Sequence, residues 1–146
     1  MTSRSKKILV ALAVAFIAIV VALGVLISAG VYSYGAATRA GNEAATMQNL
    51  KTIAAVETQF FITHNRTYGT IDELVHEDLL STKFAAVPLR VDGYALALKL
   101  TKPGGFTLSA DPADRSSGLR HFYLDSASMQ IHVNHDVPAG PNDPLQ

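Results

Sequence analysis

The sequence predicts an α+β fold: a long N-terminal transmembrane helix that continues as an amphipathic helix and packs on a small antiparallel β-meander. Three observations carry this. Ile8 to Val31 is a run of 24 residues without a charge. Apolar residues then recur at steps of three and four as far as His64. From Tyr94 onward the period changes to two.

The apolar run is long enough to be an anchor. A bilayer core about 30 Å thick needs about 20 helical residues. Ile8–Val31 meets that length and is nearly all Ala, Val, Ile, Leu, Phe or Gly. The charge-free stretch runs on to Thr38, and Arg39 is the first charge after Lys7. A secretory signal has an apolar region of about 7–15 residues, shorter than this one. Ser28-Ala29-Gly30 offers small residues for cleavage, but the length favours a retained anchor with Met1 or Thr2 at the mature start. Tyr32 and Tyr34 follow the run, where amphipathic rings prefer the headgroup region. Arg4, Lys6 and Lys7 precede it and orient the tip to the cytoplasm, with the domain outside. Gly24 and Gly30 are six apart rather than the four of a close-packing pair, and read as ordinary anchor composition.

Ala36 to His64 reads as a continuation of the helix. Met47, Leu50, Ile53, Val56 and Phe60 form the apolar stripe, with Ala54 and Phe61 beside it. Arg39, Glu43, Asn49, Lys51, Glu57 and Gln59 are expected on the other faces. Asn65–Gly69 is a loop. Thr70-Ile71-Asp72-Glu73 is a capping box, opening a short helix to about Leu80 that buries Leu74 and Leu79. Lys83–Asp92 is a connection. Tyr94, Leu96, Leu98 and Leu100 then alternate with Ala95, Ala97 and Lys99, and Lys102-Pro103-Gly104-Gly105 turns the chain. Phe106, Leu108 and Ala110 belong to the next strand, His121–Leu124 to a third and Met129–Val133 to a fourth. The tail from Val137, with Pro138, Pro141 and Pro144, is expected to be irregular. The expected core is Leu50, Ile53, Phe60, Leu74, Tyr94, Leu96, Leu98, Phe106, Leu108, Phe122 and Leu124.

Composition narrows the function. The net charge of zero hides a split: Arg4, Lys6 and Lys7 give +3, and from Arg39 onward 9 basic and 12 acidic residues give −3. No basic face is left for a polyanion. Cys is absent, which removes disulfides, thiolate metal sites and a Cys nucleophile. The anchor leaves about 105 residues, enough for one small core.

The order of elements, with Asn49-Leu50-Lys51-Thr52-Ile53, Glu57-Thr58-Gln59-Phe60-Phe61, Arg66–Leu74 and Arg120-His121-Phe122-Tyr123-Leu124-Asp125, resembles type IV pilins and type II secretion pseudopilins over roughly residues 40–135. Gly93-Tyr94 and Gly105-Phe106 add to the likeness. The resemblance implies a pilin-like fold and a bacterial source. That family's export signal is a basic leader ending in Gly, then Phe or Met, with Glu five residues into the mature helix. Here the first Gly is Gly24 and the first acid is Glu43. Gly105-Phe106 lies in a strand, with no basic leader before it. The resemblance therefore does not carry filament assembly with it, and the chain is expected to stay unprocessed.

The chemistry-bearing residues have plainer readings. No Ser sits in a Gly-x-Ser-x-Gly turn. His132 and His135 are three apart, which on a strand sends them to opposite faces. His64 and His76 are expected at helix ends or exposed faces, and His121 towards solvent. Asp72-Glu73 suits a helix N-terminus, and Glu77-Asp78 a solvated face. Asp111, Asp114 and Asp125 would suit the calcium that some pseudopilins hold in a late loop, but show no ligand spacing. Asn65-Arg66-Thr67 matches a glycosylation sequon and reads as a turn. The expectation is thus no catalytic, cofactor-binding or metal residue and no cofactor. The domains expected are a basic tip at 1–7, a transmembrane helix at 8–35, a pilin-like extracytoplasmic domain at 36–136 and a Pro-rich tail at 137–146. The function expected is a non-catalytic structural or interaction subunit in the bacterial cytoplasmic membrane, single-pass, with lipid and other membrane or envelope subunits as partners. The alternatives are a pseudopilin or minor pilin, and an accessory subunit of a respiratory or photosynthetic complex.

Overall fold

The computed structural model describes residues 3–146; Met1 and Thr2, the expected mature start, lie outside the described residues. The chain divides into two compact units, Met1–Ala37 and Thr38–Gln146. One helix, α1 (Ser3–Thr63), contributes to both. In the first unit α1 is long and apolar enough to cross a membrane, and none of its most apolar window is buried.

The second unit is an α+β domain. After α1 come a short helix α2 (Ile71–His76), a 3₁₀ turn (Thr82–Phe84) and five strands: β1 (Arg90–Val91), β2 (Tyr94–Thr101), β3 (Gly105–Pro112), β4 (His121–Asp125) and β5 (Ile131–Asn134). The strands form one antiparallel sheet in the order β1-β2-β3-β4-β5. Successive strands pair because each connection is too short for a crossover. The α2 start is the capping box: Thr70 accepts from Glu73 N–H, and the Glu73 carboxylate accepts from Thr70 N–H at 2.7 Å.

The core lies between α1 and one face of the sheet. Leu50, Ile53, Phe60, Leu74, Tyr94, Leu96, Phe106, Leu108, Phe122 and Leu124 are all buried. Leu98 is half-buried, because the α1 side of the sheet runs out of cover towards the end of β2. The fourth expected strand starts later, at Ile131, because Met129 adopts a positive φ of 55° inside the preceding turn. The sheet also has a strand more than expected: β1 lies within the presumed connection and buries Val91. Two residues show no periodicity, so nothing local marks it. The short helix ends at His76 rather than near Leu80, and Leu79 N–H and Leu80 N–H both fold back to Leu74 O at 3.0 Å. That turn buries Leu80 more fully than Leu79. The tail is largely irregular yet tied down: Val133 N–H donates to Pro144 O and Gln146 N–H to Ile131 O, both at 2.9 Å.

Gly69 and Gly118 lie close against the core. A Cβ at Gly69 would sit 3.1 Å from the Phe60 ring and 3.2 Å from Leu74. One at Gly118 would overlap the Tyr94 ring, whose hydroxyl donates to Arg120 O at 2.9 Å.

Phe106 and Phe122 are fully buried within the seam. Truncating either to Ala should cost about 3–5 kcal/mol. The Tm of Phe106→Ala or Phe122→Ala should fall sharply; unchanged melting of both would mean that the seam does not hold the domain together.

Candidate functional site

The residues of α1 that meet the sheet are Glu43, Thr46, Leu50, Ile53, Glu57 and Phe60, at alternating steps of three and four, with Asn49 and Ala54 buried alongside. Glu43, Asn49 and Glu57 were expected on the outer faces, and the structure buries all three. The reason is that each holds a loop that crosses the helix.

Glu43 binds the segment before β4. Its carboxylate accepts from Leu119 N–H at 2.9 Å, Arg120 N–H at 3.3 Å and the Arg120 guanidinium at 2.7 Å. Burial works to raise this carboxyl, but these donors outweigh it and hold it below the usual range. Asn42 adds a bond to Ser117 O at 2.9 Å. Asn49 binds the turn between β1 and β2: its amide donates to Asp92 at 2.8 Å and its carbonyl accepts from Lys83 at 2.9 Å. Glu57 binds the loop after α1, accepting from Gly69 N–H at 3.0 Å. Its other oxygen, like the Thr46 hydroxyl, is buried without a hydrogen-bond partner. Burial pushes the Glu57 carboxyl up to about 7, the Gly69 bond opposes this, and the nearby Glu73 carboxylate adds to it.

The histidines serve separate places. His64 stacks on Phe60 with ring centroids 3.8 Å apart, and its Nε2 lies 2.9 Å from Glu77. Thr63 Oγ1 lies 2.9 Å from His64 Nδ1, which completes a hydroxyl–imidazole–carboxylate order. The same hydroxyl lies 3.1 Å from Phe60 O and 3.2 Å from Gln59 O, so it closes the end of α1. His121 does not simply face solvent: it is half-buried, with Nδ1 2.6 Å from Asp111. His132 is covered by the tail, and its Nδ1–H donates to Asp143 O at 2.7 Å. That carbonyl can only accept, which fixes the tautomer. His76 and His135 are exposed.

The acidic residues weighed for calcium do not converge. Asp111 is bonded to His121. Asp114 accepts from Ser116 N–H at 2.8 Å and Ser117 N–H at 2.9 Å. Asp125 accepts from Ser128 N–H at 2.7 Å within its own turn. Among the described residues no group of three or more His, Cys, Asp or Glu side chains is placed to hold a metal ion. Asn65 and Arg66 take positive φ values of 54° and 62°, and Arg66 N–H donates to Phe61 O, forming the turn that ends α1.

The remaining feature is the outward surface of α1 in the first unit. Leu12, Phe16, Ile17, Leu23, Leu26 and Val31 are each more than half exposed. Comparison with known protein families, with curated proteins and with solved structures finds no match.

Two variants test the polar staples. Glu43→Ala strips Leu119 N–H, Arg120 N–H and the guanidinium of their acceptor, and should cost about 2–4 kcal/mol by chemical denaturation. A loss within error of zero would show that water replaces the staple. Glu57 holds its proton more tightly folded, at about 7, than at its ordinary 4.5. Its contribution to stability is therefore fully present below pH about 4.5 and lost as pH rises through about 7. Glu57→Gln keeps the acceptor for Gly69 but cannot ionise. Relative to this variant, the parent should lose on the order of 3 kcal/mol across that window. Parallel stability–pH curves would show that Glu57 does not titrate there.

Proposed function

We propose that this chain is a single-pass membrane protein that acts, without catalysis, as a structural or interaction subunit of a larger membrane or envelope assembly. The observation that carries the reading is the outward apolar surface that α1 presents from Leu12 onward in the first unit, with none of its most apolar window buried. A large apolar side chain left in water forfeits about 1.5–3 kcal/mol relative to burial. Over Leu12, Val14, Phe16, Ile17, Val20 and their neighbours this exceeds the 5–15 kcal/mol that typically stabilises a domain. Lipid or apolar helices are the surroundings that remove the cost. Arg4, Lys6 and Lys7 support a cytoplasmic N-terminus, so that Thr38–Gln146 lies outside the cytoplasmic membrane of a bacterium. Helix seam, intervening α2 and antiparallel meander are in keeping with a pilin-like domain. Glu43, Asn49 and one oxygen of Glu57 hold the unit's own loops, the Thr46 hydroxyl and the second Glu57 oxygen being the exceptions, and this use of the buried polar groups favours a scaffold over a reaction centre.

The test has a membrane arm and a topology arm. The full chain should stay in the pellet after alkaline carbonate extraction, and Ile17→Lys with Val20→Lys should release it. Protease added to intact spheroplasts should digest the domain. Extraction of the parent into the supernatant would end the anchor reading, and protection in spheroplasts with digestion in inverted vesicles would reverse the orientation. A mass shift that depends on prepilin peptidase would favour the pseudopilin reading instead.

A further inference from the structure

The two edges of the sheet are finished differently. At β5 the C-terminal tail supplies backbone partners. At β2 the cover is β1, which pairs only Val91 with Tyr94 and Arg90 with Ala95. One more bond, Leu96 N–H to Leu89 O at 3.1 Å, ends it. Because Leu96 N–H points outward, the backbone groups of Leu98 and Leu100 point the same way. Among the described residues neither finds a backbone partner on that side.

The side chains of this stretch are open as well. Leu96, Leu98 and Leu100 share one face of β2, yet cover falls from buried through half-buried to 48% exposed at Leu100. Leu100 borders a groove of about 610 Å³ with Tyr68 and Pro103, whose charged lining is Arg66 and Lys102 with no acid. Lys99 is exposed in the middle of the open edge. Arg66, Lys99 and Lys102 enter none of the ion pairs among the described residues. Arg66 and Lys102 lie with Leu100 on one face of this edge and Lys99 on the other, so both faces carry unpaired cations in a unit whose charge from Arg39 onward is −3.

We propose that the open edge of β2 docks an extended acidic segment of a partner protein, which adds a strand beside Leu98 and Leu100. Residues of the segment opposite Leu98 and Leu100 would place apolar side chains over the half-buried Leu98 and the exposed Leu100, and the residue between them an acid beside Lys99. A second copy fits this edge poorly. Antiparallel self-pairing that uses both leucines sets Leu98 against Leu100 and Lys99 directly against Lys99, with like charges opposed. The proposal rests on the reading of the chain as an interaction subunit and names where its partner seats.

The experiment measures backbone amide exchange on the full chain in detergent micelles. The probes are a short synthetic peptide of alternating valine and glutamate and its valine–lysine counterpart. The glutamate peptide should slow exchange at Leu98 and Leu100 by about tenfold or more, and the lysine peptide should not. Leu100→Pro removes an outward N–H without costing a bond to β3, and should abolish the effect while melting and membrane retention stay unchanged. Lys99→Glu should exchange the preference between the peptides. No slowing by the glutamate peptide, or equal slowing by both, would overturn the proposal. Slowing that grows with protein concentration alone would give the edge to a second copy. Slowing by phosphatidylglycerol vesicles without peptide would give it to the bilayer. Either result also overturns the proposal. Failure here leaves carbonate extraction untouched, so the edge and the anchor are judged separately.

Discussion

The second unit depends on α1 carrying acceptors and donors at the positions where it meets the sheet. A wholly apolar stripe would bury more hydrocarbon, but it would leave three crossing segments without anchors. Glu43 holds the segment into β4, Asn49 the turn between β1 and β2, and Glu57 the loop into α2. Each bond is local in space and distant in sequence, so each fixes a loop that no short-range propensity would fix. Because these groups are desolvated, their geometry has to be right: removing one partner strands the other in a low-dielectric interior. Glu57 is the least satisfied, with one oxygen unbonded, and it meets that cost by favouring its neutral form.

The sheet is finished asymmetrically for a related reason. The tail of the chain comes back along β5, where His132, Asn134 and Asp143 bind it through side chains as well as backbone. On the other side only a two-residue strand is available, and it stops where β2 still has more than half its length to run. Lys99 on that exposed stretch discourages edge-to-edge association of identical chains, as edge lysines commonly do. Cover, charge and backbone pairing therefore all fail at one place, and that place is the part of the second unit best suited to meeting another molecule.

Much of this was legible in the residues. The long apolar run, the capping box at Thr70, the alternation from Tyr94 and the core phenylalanines and most core leucines follow from local patterns, and they appear where those patterns put them, Leu79 and Leu98 excepted. What was not legible has a common character. Glu43, Asn49 and Glu57 read as surface because their type is polar, and only the loops folded against them show otherwise. β1 is too short to have a period. Leu98 alternates like its neighbours, but its half-exposure reflects how far the cover of the sheet extends. His121 alternates with a core phenylalanine and looked solvent-facing, until the register set Asp111 in β3 close to it.

By itself, the sequence determined which of the longer segments are helical or extended, which side chains prefer oil to water, and that one helical run is long and apolar enough to cross a bilayer. Those are properties of a residue and its near neighbours along the chain. Tertiary structure alone decided which polar groups are buried and satisfied, how the two sheet edges end, and where the −3 unit gathers unpaired cations. Those depend on groups tens of residues apart coming within hydrogen-bond distance, such as Glu43 and Arg120 at 2.7 Å, and no local pattern records such a meeting.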